Sequence, residues 1–160
     1  MIRLGKLTDY GLVLMGYFAR HKGQTQCTAR ELALESSLPL PTVSKLLKIL
    51  VQSGFLVSHR GINGGYSLAR DAQDISIAEV IAAMEGPIAL TECSRDISGL
   101  CALEPSCPIK NNQRIINQVV RGALENLTLA DLVHPLQLIA IKRARGKLVP
   151  SIGLISGSMQ

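Results

Sequence analysis

A chain of 160 residues, of which 47% are hydrophobic and 3% aromatic, is long enough for one domain with its own core. No apolar run approaches the roughly 20 residues that a membrane-spanning helix needs, and early charges at Arg3, Lys6 and Asp9 do not fit a signal peptide. We therefore expect a mainly helical cytoplasmic protein without a membrane partner, whose cysteines do not form structural disulfides.

The net charge of +5 is unevenly distributed. Residues 1–70 hold nine Lys or Arg against three Asp or Glu, residues 71–135 hold four against nine, and residues 136–160 hold four against none. The basic first half favours a polyanion such as DNA as its partner, although a solvated basic face would give the same balance.

The first predicted helix begins near Thr8, which we expect to cap it, with Leu7 and Leu12 as a hydrophobic staple. Its apolar stripe is expected to contain Val13, Leu14, Tyr17 and Phe18.

Two further helices and a hairpin follow. Thr28 and Glu31 form a capping box for the second helix, and the turn Leu38-Pro-Leu-Pro41 leads into the third. The third helix carries an apolar stripe made of Val43, Leu46, Leu47 and Leu50. Strands are predicted at 55–59 and 66–68, joined by a glycine-rich tip, so the pattern indicates a winged helix-turn-helix with a two-stranded β wing.

The polar face of the third helix is the candidate DNA-reading surface. Thr42, Ser44 and Lys45 are placed to reach base edges in the major groove, and Lys48 is better placed for phosphate. Arg60 and Asn63 on the wing are candidates for the minor groove. Winged helices also serve as protein-interaction modules, but the basic balance favours double-stranded DNA.

Beyond the wing, Ser76 and Glu79 form a second capping box, for a helix that Gly86 and Pro87 end. A long helix opening at Pro108 has a nearly heptad apolar pattern: Ile109, Ile116, Val119, Val120, Ala123 and Leu127. Pairing with a second copy would bury this pattern, and ordinary packing within the chain is the alternative. The predicted divisions are a winged-helix domain at 1–86, a cysteine loop at 87–107, a dimerisation segment at 108–135 and a basic, mobile tail at 136–160.

Cys93, Cys101 and Cys107 lie within fifteen residues that have no helical or strand periodicity. Their spacing does not match the paired C-x₂-C of zinc knuckles and suits an iron–sulfur cluster or a soft metal, with three unliganded cysteines as the alternative. Cys27 is expected to pack in the core. By chemistry alone, the candidates for a fourth ligand are Asp9, Glu92, Asp96, Glu104 and the three histidines.

The wing Arg60-Gly-x-x-Gly-Gly-Tyr66-x-Leu68, the helix Ser76-Ile-Ala-Glu-Val-Ile81 and three cysteines before a long helix resemble the Rrf family from Met1 to about Val133. This resemblance implies a dimeric winged-helix regulator with a cluster on Cys93, Cys101 and Cys107 that alters affinity for operator DNA. It is strongest for regulators of the SUF cluster-assembly operon.

Two positions depart from the pattern of IscR-like members of the family. The histidine expected three residues after the last cysteine is Lys110, and the first cysteine gap is seven residues instead of five. NsrR-like members use an aspartate of the other subunit near the start of the first helix, and Asp9 matches it. The SUF resemblance favours [2Fe–2S], whereas Asp9 points to [4Fe–4S].

The sequence therefore predicts a homodimeric, non-enzymatic regulator, expected to be a repressor, that binds a palindromic operator under control of an iron–sulfur cluster. One alternative is a cluster-free thiol redox switch with the same DNA-binding domain. Another is an iron–sulfur carrier or redox protein, although the chain has no phosphate-binding glycine loop, no nucleophile–base pair and no sign of a small-molecule substrate pocket.

Overall fold

The structure is a computed structural model that describes residues 3–21, 26–62, 64–95, 97, 99–142 and 148–153, with the backbone alone from residue 137 onward. Its elements, in chain order, are α1 (Lys6–Arg20), α2 (Ala29–Ser36), α3 (Leu40–Gln52), β1 (Leu56–His59), β2 (Gly65–Leu68), α4 (Ile77–Glu85), α5 (Lys110–Glu125), α6 (Leu129–Leu132), β3 (Gln137–Lys142) and β4 (Leu148–Gly153). No helix in these ranges combines the length and the apolar character needed to cross a membrane. The predicted mainly helical winged-helix fold is confirmed.

The core lies between the first four helices and the wing. The predicted stripe of α3 is fully buried and packs with Leu14, Met15, Leu32 and Val80. Burying one such side chain contributes about 1.5–3 kcal/mol relative to leaving it in water. Antiparallel β1 and β2 close one side of the core, with Leu56 opposite Leu68. Since the apolar face of α3 is used inside, its polar face is directed to solvent.

Side-chain caps fix where three helices begin. Both predicted capping boxes are confirmed: Thr28 with Glu31 at α2, and Ser76 with Glu79 at α4. A third, which pairs Thr128 with Asp131, starts α6. In each box the hydroxyl accepts the backbone N–H three residues on, and the acidic side chain accepts the N–H of the cap residue.

The predicted start of the first helix is wrong. Gly5 is the N-cap of α1, so Thr8 lies in the first turn, where it is buried and bonded to Glu85 of α4. The staple of Leu7 and Leu12 is displaced with it. Val13 is also misplaced, because its side chain is 49% exposed at the rim of a surface groove between α1 and α6.

The long helix α5 begins at Lys110, two residues after Pro108. It packs against α4 and a single helical turn at Glu92–Ser94, while Ile116 and Val119 remain 50% and 65% exposed. This is consistent with a helix that has little to pack on within its own chain. The backbone of the predicted tail forms an antiparallel hairpin of β3 and β4, an element not apparent from the sequence.

Candidate nucleic-acid interface and cysteine loop

The turn between α2 and α3 sets the position of the candidate recognition helix. Ser37 has a φ of +55°, in the left-handed region, and the Leu38 N–H donates to the carbonyl of Ala33 at 3.2 Å. Pro39 is the N-cap of α3, so the chain leaves α2 and enters α3 across a three-residue turn. Two helices joined this tightly and sharing one core form the helix-turn-helix arrangement.

The structure places the four candidates on α3 along one accessible face. Ser44, Lys45 and Lys48 are exposed, and Thr42 is half-buried in the first turn. Among the described residues, neither lysine forms a salt bridge. This face therefore presents hydroxyl and ammonium donors and positive charge, the groups that contact phosphates and base edges.

The wing is attached to the core through Cys27. Its N–H donates to the Tyr66 carbonyl at 3.0 Å, and its carbonyl accepts from the Tyr66 N–H at 2.9 Å. The approach requires glycine at position 65, where a Cβ would stand 2.9 Å from the carbonyl oxygen of Cys27. Cys27 is buried as expected, and desolvation together with the nearby Glu31 carboxylate raises the pKa of its thiol.

The tip of the wing is narrow. A Cβ at Gly64 would lie 2.5 Å from the His59 carbonyl oxygen, and Gly61 has a φ of +114°. Arg60 is exposed at the base of the tip, as the candidate role requires. Ile62 is fully exposed beside it, an apolar group that the glycine pattern does not single out. Asn63 lies outside the described residues.

The three loop cysteines are free thiols in different environments. Cys93 is buried, with its Sγ 3.3 Å from the Thr91 hydroxyl, whereas Cys101 and Cys107 are half-buried. Arg114 of α5 donates from Nε to the carbonyl of Cys93 at 3.0 Å. The first cysteine is thus held against α5, while the other two are more accessible.

Asn117 holds the start of the loop, a role not apparent from the sequence. It is buried on α5, its Oδ1 accepts the Leu90 N–H at 2.9 Å and its Nδ2 donates to the Ile88 carbonyl at 3.2 Å. A buried amide that satisfies both backbone groups fixes the chain as it leaves α4. The sequence feature that could have indicated this role is a polar residue on the inward face of an amphipathic helix.

Glu104 organises the segment between Cys101 and Cys107. It accepts the Gly99 N–H at 3.0 Å and forms an ion pair with Lys110 at 2.8 Å, with Arg114 a further 3.9 Å contact. The hydrogen bond from Lys110, followed by that from Gly99, holds the pKa of this carboxyl below its usual range. Lys110, where IscR-like members would have histidine, is therefore engaged by the loop itself.

The predicted ligand set is not assembled in the single chain. Asp9 is exposed in the first turn of α1, and among the described residues no three His, Cys, Asp or Glu side chains are grouped closely enough to hold a metal ion. The donors nevertheless suit an iron–sulfur cluster chemically, because three free thiols are carried by one loop. Bringing the three thiols together around one cluster would require the loop to change its conformation.

Comparison with known proteins finds similarity to a family of transcriptional regulators and to solved structures of such regulators. The family model described as "Rrf2: Iron-dependent Transcriptional regulator" matches residues 4–135. CymR (YrzC), the global cysteine regulator of B. subtilis, is similar in structure at 25% identity and a TM-score of 0.67, covering 83% of this chain and 97% of that one. IscR of T. potens is similar at 25% identity and a TM-score of 0.63, with 82% of this chain and 86% of that one covered. The oxidized form of Staphylococcus aureus CymR is similar at 28% identity and a TM-score of 0.63, with 85% of this chain and 99% of that one covered.

Proposed function

This chain belongs to the Rrf2 family of transcriptional regulators, and we propose that it is a cytoplasmic homodimeric repressor whose affinity for operator DNA is controlled by an iron–sulfur cluster. Regulation of SUF cluster-assembly genes is the proposed output. The observation that carries the proposal is the coexistence in one chain of an exposed polar face on α3 and three free thiols on a loop against α5.

The proposed DNA contacts divide by chemistry. Thr42, Ser44 and Lys45 read base edges in the major groove, while Lys48 contacts phosphate. Arg60 and Asn63 reach the adjacent minor groove through the slim wing. Two such surfaces related by a two-fold axis would fit a palindromic operator.

The exposed apolar side of α5 supports the dimer. Ile109, Ile116 and Val119 are each at least half exposed, and pairing with the same surface of a second copy would remove them from water. This arrangement also allows one chain to contribute a ligand to the other's site, which the described residues of one chain do not form by themselves.

We propose that Cys93, Cys101 and Cys107 of one chain, with Asp9 of the partner subunit, hold the cluster. The resemblance to SUF regulators favours [2Fe–2S], with [4Fe–4S] as the alternative. When bound, the cluster supplies a redox-sensitive connection between the chains. The loop of one chain would then be fixed to α1 of the other, which sets the spacing of the two recognition helices and so their fit to the operator.

Anaerobic purification followed by a visible spectrum, iron and sulfide assays and operator binding tests this proposal. Brown protein with matched iron and sulfide is expected, and Cys101→Ala or Cys107→Ala should remove both the colour and its effect on DNA affinity. Cys27→Ala is the matched control, because Cys27 is buried beneath the wing and should retain the cluster. Colourless protein that reconstitution cannot convert would refute cluster binding.

A cluster-free thiol switch is the second candidate. It is favoured by similarity to Staphylococcus aureus CymR, which has been crystallised in an oxidized form. Cys101 and Cys107 would be the reactive thiols because they are more accessible than Cys93. Mass spectrometry after peroxide treatment should then show disulfide or sulfenate in protein that contains no iron, together with altered DNA affinity.

A further inference from the structure

A groove of about 520 Å³ lies between the cysteine loop and α5 and is not used by the proposed regulator mechanism. Arg95 of the loop and Arg114 and Arg121 of α5 line it, together with Gln118 and the hydroxyl-bearing Ser94. None of the described residues that line this groove is acidic. Its volume lies within the roughly 300–1,000 Å³ typical of small-ligand sites.

The groove is directed away from the proposed dimer surface. At roughly 100° per residue, Arg114, Gln118 and Arg121 fall on one side of α5, roughly 150° around the helix from Ile109, Ile116 and Val120. Pairing of two chains through the apolar side of α5 therefore does not cover the α5 side of the groove. A ligand could reach it in the dimer.

The polar side chains of the groove differ in whether their hydrogen-bonding groups already have partners. Asn117, at its floor, is satisfied by the backbone of Ile88 and Leu90, so it shapes the site without binding in it. Arg114 uses Nε on the Cys93 carbonyl and its Nη2 lies 3.9 Å from Glu104. Arg121 pairs with Glu125 at 2.6 Å on a surface where both side chains are about half exposed. An exposed pair of this kind contributes little, so an anion can take over the guanidinium.

We propose that this groove is a binding site for a small organic anion, one that carries a carboxylate or phosphate group. A planar guanidinium matches the oxygens of either group and can donate two parallel hydrogen bonds, as Arg95 would, and Arg121 once it leaves Glu125, while Arg114 adds positive charge from its place beside Cys93. Pro87, Ile88 and Ile97 provide an apolar wall for the carbon skeleton of the ligand. Carboxylates and phosphates both carry negatively charged oxygens that these arginines could bind, so anions of both classes are tested.

Arg114 connects this site to the cysteine loop. The Arg114 side chain lines the groove and also donates to the carbonyl of Cys93. An anion that shifts this side chain would therefore change the position of Cys93. Binding of the anion itself depends on neither a cluster nor DNA. The inference thus goes beyond the proposed function and can fail or succeed independently of it.

The test is isothermal titration calorimetry on the whole 160-residue chain in its cluster-free form, with inorganic phosphate, succinate and citrate as probes at constant ionic strength. We expect saturable binding of at least one probe at one site per chain. Arg121→Gln and Arg95→Gln should each weaken it about tenfold or more, since charge-assisted hydrogen bonds are removed. Arg30→Gln, an exposed arginine on α2, is the matched control and should change nothing.

Circular dichroism confirms that each variant is folded before titration. Three outcomes overturn the site: no saturable binding of any probe at millimolar concentration, binding that survives both groove substitutions, or an equal loss in Arg30→Gln. The last outcome would mean that the probes respond to net charge alone. Because the experiment uses protein without a cluster, none of these results bears on whether the loop thiols bind iron.

Discussion

The hydroxyl of Thr8 donates to Oε1 of Glu85 at 2.5 Å, although 77 residues separate the two in the chain. The same oxygen accepts the N–H of Gly5, the N-cap of α1, at 2.6 Å. The last residue of α4 therefore caps α1 from outside that helix. Because Glu85 is followed directly by the loop that carries the cysteines, this contact joins the start of the loop to the helix that carries Asp9.

Loss of this cap is expected to destabilise the fold. Glu85→Gln removes the charge that interacts with the N-terminus of α1 and weakens two hydrogen bonds, so we expect the free energy of unfolding to fall by about 1 kcal/mol at pH 7. Urea denaturation at fixed protein concentration measures it. Glu35→Gln, an exposed carboxylate on α2, is the control and should have a negligible effect.

The same contact predicts a pH dependence with a definite sign. The hydrogen bond from Thr8, and then that from Gly5, lowers the pKa of Glu85 below its ordinary value of 4.5. A carboxyl whose pKa is lower in the folded state contributes stability above its unfolded pKa and loses it as the pH falls through the folded pKa. The difference between wild type and Glu85→Gln should therefore shrink below about pH 4.5, and a difference that stays constant to pH 3 would contradict the assignment.

These hydrogen bonds show which features could be predicted from the sequence. The capping box of Thr28 and Glu31 spans three residues, so the pattern itself specifies the contact. The same local rule wrongly predicts Thr8 as the cap of the first helix, because the rule takes no account of a carboxylate 77 residues away in the chain. The stripe of α3 was predictable because it repeats with the helical period, as was the wing, because its glycines meet a steric requirement.

Other parts depend on contacts that no local pattern encodes. The partners of Asn117 are backbone groups of a loop 27 and 29 residues earlier, so its role became visible in three dimensions. Strand β4 contains Pro150, which argues against a strand when the sequence is read alone. The proposed ligand set could be named from resemblance, but the described residues of one chain do not group its members, so no feature of the structure identifies it independently.

The recognition helix allows phosphate contact to be separated from base reading. Lys48→Ala should weaken binding to specific and random DNA about equally, and it should flatten the slope of log K against log salt by about 0.9 for each phosphate that is no longer neutralised. Ser44→Ala and Lys45→Ala should instead alter base preference more than the salt slope. Fluorescence anisotropy at several salt concentrations distinguishes them.

Arg20→Ala, which removes an exposed cation from α1 and not from α3, is the control for these DNA measurements and should leave binding to operator DNA unchanged. Equal losses for Lys48→Ala, Ser44→Ala and Lys45→Ala on both specific and random DNA would contradict the division of roles.

The wing tip makes a steric prediction. A Cβ at Gly64 would lie 2.5 Å from the His59 carbonyl oxygen and 2.9 Å from that of Gly61, both rigid backbone atoms. Gly64→Ala should therefore displace the tip, cost about 1–3 kcal/mol of stability and weaken operator binding. Gly122→Ala in α5 is the opposite case: its Cβ meets open space, and removing a helical glycine should stabilise by about 0.5–1 kcal/mol. Thermal unfolding and DNA titration of both variants measure these effects. Normal DNA binding by Gly64→Ala would contradict the predicted displacement of the tip.

The exposed apolar side of α5 predicts how the dimer can be dissociated. Ile116 is 50% exposed in the single chain, so Ile116→Asp should leave the fold of each chain intact while placing a charge within the proposed interface. Desolvating that charge should raise the dimer dissociation constant by roughly tenfold or more, and sedimentation equilibrium measures it. Leu34→Asp is the matched control, because Leu34 is an even more exposed aliphatic side chain, at 80%, on α2. If Leu34→Asp dissociated the dimer and Ile116→Asp did not, the chains would pair through the helix-turn-helix surface, and α5 would have to be covered by its own chain.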